Sequence, residues 1–157
     1  MEQTNREFDE VMAYCRSIYV SKMKDYGASW RVLRPSSITD QIYIKAQRIR
    51  SIQEKGVHKV NEGIKPEFAG IVNYSIIALI QLKQGWIEPT LPGQDEALQW
   101  YIETAAEAKN LMLDKNHDYG EAWRNMRVSS LADIVLMKLM RIKQIERSEE
   151  RRVGKEC

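Results

Sequence analysis

The sequence predicts an all-α fold: a three-helix unit (helix, Asp-Tyr-Gly corner, helix, apolar helix) used twice, the second copy incomplete. Three observations predict it. The stretch Asp25-Tyr26-Gly27-Ala28-Ser29-Trp30-Arg31, followed by Arg34, Ser36, Ser37 and Asp40, returns as Asp118-Tyr119-Gly120-Glu121-Ala122-Trp123-Arg124, followed by Arg127, Ser129, Ser130 and Asp133. Every matched position lies 93 residues on. From Asp25 to Gln53, 13 of 29 positions are identical to their partners, where average residue usage would give about two. Outside the motif, apolar residues recur at helical spacing, and neither strand alternation nor strand–helix–strand spacing occurs.

The first helix is expected over residues 5–23. Thr4-Asn5-Arg6-Glu7 fits a capping box, and Phe8, Val11, Met12, Cys15, Ile18, Tyr19 and Met23 follow at helical spacing. Gly27 breaks the pattern, because glycine tolerates the positive φ that ends a helix. Trp30, and Trp123 in copy two, are expected to plug the junction between helices. Pro35 blocks an early restart, so Ser36 or Ser37 is expected to cap the second helix, with Asp40 near its positive end. The apolar face of that helix is Ile38, Ile42, Ile49 and Ile52, and it fades near Gly56. A polar loop over residues 55–66 leads to Pro66. The third helix, over residues 67–84, is apolar on nearly all sides and stops at Gly85. Such a helix belongs at the centre of a core or lacks a partner. Residues 85–94, with Pro89 and Pro92, link the copies. The fourth helix starts near Asp95 and repeats the first. After the second motif, Ser130 caps a fifth helix bearing Leu131, Val135, Leu139, Ile142 and Ile145.

Composition narrows the function classes. The net charge is only +2, with 29% charged residues, so no strong nucleic-acid signal or membrane-surface field is present. The longest apolar run, Ile76 to Ile80, is far short of the ~20 residues of a membrane span. The N-terminus lacks the basic start and apolar core of a signal peptide. A cytoplasmic location is expected. Arg147–Cys157 resembles the translation of a common short-read sequencing adapter. On that reading, residues 1–146 form a single helical domain of repeat 1 (5–84) and partial repeat 2 (95–146), and 147–157 is a non-native tail on a truncated chain. Setting the tail aside changes 24 basic and 22 acidic residues to 20 and 19. Cys15 is then the lone cysteine, expected in the core and in a reducing compartment.

The charged positions carry the chemistry. On the second helix, at about 100° per residue, Lys45 falls within the apolar face, roughly 140° from Asp40. Lys138 holds the same position in copy two. Arg48 and Arg141 follow at neighbouring angles. Lysine in an apolar stripe is costly unless paired or able to reach water. Two readings stay open: an internal ion-pair cluster with Asp40 or Asp133, or a cradle for phosphate. Copy two has the fuller acidic set: His117, Asp118 and Glu121, with Glu103 and Glu107 one turn apart, against Lys24, Asp25, Ala28, Glu10 and Tyr14 in copy one. Carboxylates at helical spacing suit Mg²⁺, a hard cation. Nucleophile triads, zinc spacings, phosphate loops and dinucleotide fingerprints are absent from the sequence.

The pattern D-Y-G-x-x-W-R…S-S-x-x-D…K-x-x-R-I, with Asn73-Tyr74 in an apolar helix, resembles the nucleotide-modification-associated domain 1 family, found in Bacteroidetes and phages. The resemblance covers residues 5–84 and 95–146. It implies an all-helical bacterial domain acting in nucleotide or modified-base metabolism. The family's third helix often carries an acidic start and then D-x-x-N-Y. Glu62 and Asn73-Tyr74 match, whereas Gly70 stands in the Asp position, which marks copy one as the structural copy.

A layout similar to the all-α nucleoside triphosphate pyrophosphohydrolases then gives a set of expectations. Asp118 and Glu121 would be catalytic and, with Glu103, would hold Mg²⁺. Lys138 and Arg141 would hold phosphate oxygens, Arg124 would assist, and Tyr119 or Trp123 would stack on the base. Asp133, Lys45 and Arg48 complete the binding set. The alternative is a non-catalytic helical scaffold or interaction subunit. Both leave open whether the copies meet within one chain or in a homo-oligomer.

Overall fold

The computed structural model describes residues 2–55, 63–85 and 91–156. His58, Glu62 and Pro89 lie outside the described residues. Five helices, α1 (Glu2–Tyr26), α2 (Pro35–Lys55), α3 (Lys65–Gln84), α4 (Gln94–Tyr119) and α5 (Val128–Glu156), account for most of the chain, and no strand occurs among the described residues. Two single 3₁₀ turns, Ser29–Val32 and Ala122–Asn125, sit between α1 and α2 and between α4 and α5.

The two corners match bond for bond. The amide of Gly27 donates to Met23 O at 2.8 Å, and that of Gly120 to Asn116 O at 2.8 Å. Both glycines have positive φ, 62° and 66°, which a side chain would strain. The Arg31 amide donates to Ala28 O, as the Arg124 amide does to Glu121 O, both at 3.0 Å. Helix ends and 3₁₀ turns repeat at the same offset of 93 residues as the sequence.

Several helix starts differ from expectation. α1 begins at Glu2, so Thr4 and Glu7 lie inside it instead of capping it. Thr4 is buried and bonds to Glu121 and Arg124, and Glu7 accepts from Arg124. α2 begins at Pro35 itself: the ring fixes a helical φ, and the missing N–H has no partner to lose in a first turn. Ser36 and Ser37 are therefore within the helix. α5 likewise starts at Val128, ahead of Ser130, and continues past Arg147 to Glu156.

α3 is the hub, packing on α1, α2 and α4, while α5 packs chiefly on α2. The core gathers Ile38, Ile42 and Ile49 of α2, Ile71, Ile76, Ile77 and Ile80 of α3, and Tyr19 and Tyr101 of α1 and α4. Cys15 is buried, and burial raises its thiol pKa, as a core cysteine requires. Asn73 knits three helices together: its Nδ2 donates to Cys15 O at 2.9 Å, and its Oδ1 accepts from Tyr101 Oη at 2.7 Å. Tyr19 stacks on Tyr101 at 4.5 Å and donates to Ala97 O.

α2 and α5 run antiparallel. Arg50 of α2 donates to Asp133 of α5 at 2.7 Å, and Lys143 of α5 pairs with Asp40 of α2 at 3.7 Å. Arg50 and Lys143 are repeat partners, as are Asp40 and Asp133. The aspartates therefore pair across the copies. They do not join Lys45 and Arg48, or Lys138 and Arg141, as the internal-cluster reading expected. The reason lies in helix geometry: Asp40 and Lys45 are roughly 140° apart around α2.

No helix among the described residues is long and apolar enough to cross a membrane.

Candidate functional site

A cleft of about 670 Å³ opens where the first corner meets α3. One wall is the end of α1 and the corner: Lys22, Tyr26, Ser29 and Trp30. The other is a single face of α3, where Pro66, Glu67, Gly70, Asn73, Tyr74 and Ile77 fall at three- and four-residue spacing. Lys45 enters from α2. Its Nζ lies 3.7 Å from Glu67 Oε2 and 5.9 Å from the Tyr74 ring centroid. Arg48 pairs with the same carboxylate at 3.3 Å. Glu67 thus stands in the place that the ion-pair reading assigned to Asp40. The mixture of aromatic rings and cations suits a ligand that has both a ring and a negative charge.

The floor of this cleft is braced by its corner. Trp30 packs against Tyr19 and Trp100 at 6.2 and 6.5 Å. Arg31 is buried and donates to Gln81 Oε1 and, at 2.9 Å, to Gly85 O. It thereby meets the carbonyl end of α3, where the helix dipole favours a cation. Gln81 returns two bonds from Nε2, to Arg31 O at 2.8 Å and Leu33 O at 2.7 Å.

The second corner has the same backbone and a different setting. Its counterpart of the cleft is an open shelf of about 570 Å³ that includes Lys115, Asn116, Tyr119 and Trp123. Trp123, expected as a plug, is 40% exposed and lies under the Arg124 guanidinium at 4.6 Å. Among the described residues no helix stands where α3 stands in copy one, so the Arg124 guanidinium is the indole's cover in place of a helix. Arg124 turns to the start of α1, donating to Thr4 Oγ1 at 2.7 Å, Glu7 Oε1 at 3.0 Å and Glu121 Oε2 at 3.1 Å.

The carboxylates expected to hold Mg²⁺ do not converge. Glu103 and Asp118 both belong to α4, 15 residues and so about 22 Å apart along its axis. Glu103 accepts from Gln99 at 3.1 Å. Asp118 is exposed beside His117 at 3.4 Å. Both Glu121 oxygens are engaged, one by Thr4 and one by Arg124, and these bonds, Thr4's first, lower its pKa. Among the described residues no three His, Cys, Asp or Glu side chains gather as a metal centre would need. Glu103 therefore does not share a cation with Asp118 as placed.

Lys138 and Arg141 are exposed on α5 and line neither the shelf nor the cleft; Arg141 contacts Gln144 at 3.4 Å. Of the expected binding residues, Tyr119 and Trp123 share the shelf, Asp133 is committed to Arg50, and Lys45 lines the cleft with Arg48 beside it. Sequence reasoning did not single out Lys22 or Glu67, and it named Tyr74 and Gly70 only through the family pattern. One signal was available: Lys22 and Lys115 are identical repeat partners just upstream of the motif. Glu67 had none, because its counterpart does not occur in copy two.

The family model for nucleotide modification associated domain 1 matches residues 22–82 and 115–157, more than half of the chain, and its two segments begin 93 residues apart. No match was found among curated proteins or among solved structures. The chain belongs to the nucleotide modification associated domain 1 family.

Proposed function

We propose that this member of the family binds a nucleotide or nucleotide-derived small molecule, and that it does so in the cleft of copy one. The observation that carries the reading is the cleft itself: about 670 Å³ between two helices and a corner, with Lys22 and Lys45 facing Tyr26, Trp30 and Tyr74. Aromatic faces accept a base by stacking, and lysine meets phosphate as a point charge. The family description, which ties the domain to nucleotide modification, supports the same ligand class.

Hydrolysis in the manner of the all-α pyrophosphohydrolases needs carboxylates gathered about a cation. Glu103 and Asp118 stand about 22 Å apart along α4, so that chemistry would need these carboxylates brought together.

Calorimetric titration of the chain with ribo- and deoxyribonucleotides, with and without magnesium, tests the reading. Saturable binding of at least one nucleotide, weakened by Trp30→Ala, is the expected result. No binding across the panel removes it. Magnesium-dependent product formation in the same samples would restore the hydrolase.

A second reading, a scaffold or interaction subunit, is favoured by one feature of copy two. Its shelf is apolar, and buried Asn116 offers a side-chain N–H with no partner among the described residues. Sedimentation analysis decides this one: a monomer at all concentrations removes self-association.

A further inference from the structure

We infer that the ligand of the copy-one cleft must be phosphorylated, that the Lys45 ammonium is its phosphate contact, and that Gly70 is the residue positioning that ammonium. The inference rests on the cleft as the binding site.

Gly70 lies inside α3, where glycine weakens a helix relative to alanine. Its φ is not positive, so the backbone does not require glycine there. A helix-interior glycine without a conformational need has a packing reason, and the geometry supplies one. A Cβ at position 70 would sit 2.7 Å from both Cδ and Cε of Lys45 and 3.1 Å from its Nζ. The lysine therefore passes directly over the glycine, through the space that any side chain would fill. This route carries the ammonium out of the apolar face of α2 and into the cleft.

Once there, Lys45 is only loosely held. Its 3.7 Å separation from Glu67 exceeds the length of an N–H···O hydrogen bond, and the carboxylate is shared with Arg48. Two cations on one carboxylate leave net positive charge at the rim, and an ammonium carries three donors. A phosphate oxygen would accept what Glu67 does not. In copy two, Lys138 has no such passage: it is exposed and lines neither cavity.

Titrating the full chain with a nucleoside, its 5′-monophosphate and its triphosphate tests the inference. Wild type should bind the phosphorylated forms roughly tenfold or more tightly than the nucleoside, the usual worth of a charged hydrogen bond. Gly70→Ala should lose most of that advantage and leave nucleoside affinity alone. Its melting temperature should stay level or rise, because the clash falls on the movable end of a lysine and alanine favours the helix. Lys45→Met should show the same selective loss. Equal binding of nucleoside and nucleotide by wild type overturns the inference and leaves the cleft reading intact. An unchanged Gly70→Ala, or one losing both ligand classes alike, also overturns it. No binding by any of the three overturns both.

Discussion

The two Asp-Tyr-Gly corners share a backbone down to individual hydrogen bonds, yet their arginines live in different chemistry. Arg31 is buried against the carbonyl end of α3 and tied to Gln81. Arg124 lies at the surface, strapped to Glu7, Thr4 and Glu121. Trp30 is packed between two aromatic rings, while Trp123 is 40% exposed under the Arg124 guanidinium. One residue pattern thus makes a corner wherever it occurs, and a neighbouring helix decides whether that corner becomes a core junction and one wall of a cleft. The same contrast runs along the next helix. Ile38 and Ile49 of α2 are fully buried, whereas Ile142 and Ile145 of α5 are 43% and 47% exposed. Ile49 and Ile142 are direct repeat partners.

The largest break in this comparison should come from Gln81→Leu. It strips the Arg31 guanidinium of a partner and orphans two carbonyls at a site only 1% exposed, so a loss of about 3–5 kcal/mol is expected. Denaturant unfolding measures it, and Arg124→Ala should shift the midpoint far less. An equal loss from both would mean that burial does not separate the corners. Next in size, Trp30→Ala should cost about 2–3 kcal/mol and Trp123→Ala below about 1, since only the first opens a gap in packed surroundings. Thermal melts of the two variants report the gap directly.

The smallest effect concerns acid. Glu121 has a folded pKa below its ordinary value, held down first by the Thr4 hydroxyl and then by Arg124. A depressed carboxyl contributes stability above its unfolded pKa and loses it as pH falls through the folded one. Acidification below about pH 4.5 should therefore loosen the start of α1 from the second corner. Hydrogen exchange at residues 2–7, compared between wild type and Glu121→Gln, reads that loss; in the variant the pH dependence should shrink.

Much of the fold was legible in the residues. Helical periodicity located all five helices, and Gly27, Gly85 and Gly120 marked where three of them stop. The 3₁₀ turns were not legible, because four residues carry no hydrophobic period. Helix starts were missed by two residues or so, since Pro35 served as a first-turn residue and Thr4 found partners from the far end of the chain. The site was legible only in part. Lys45 stood out as a cation in an apolar stripe, and Arg48 came with it. Their partner Glu67 sits on another helix beyond a loop, where no spacing rule reaches. The acidic richness of copy two pointed to a metal centre, and the 15 residues between Glu103 and Asp118 on α4 put those two carboxylates about 22 Å apart along the axis.

What the sequence determined by itself is local: the helical class, the 93-residue register and the left-handed glycine at each corner. Those depend on side-chain periodicity and on which φ a residue tolerates, and both act within a few positions. That the second copy is incomplete was legible too, but the tertiary structure alone decided how the first copy encloses its cleft. That rests on α3 packing on α1, α2 and α4 together, on Gly70 admitting Lys45, and on Gln81 meeting Arg31. Enclosure needs walls from distant parts of the chain, and among the described residues the matching motifs acquire different chemistry because the first faces α3.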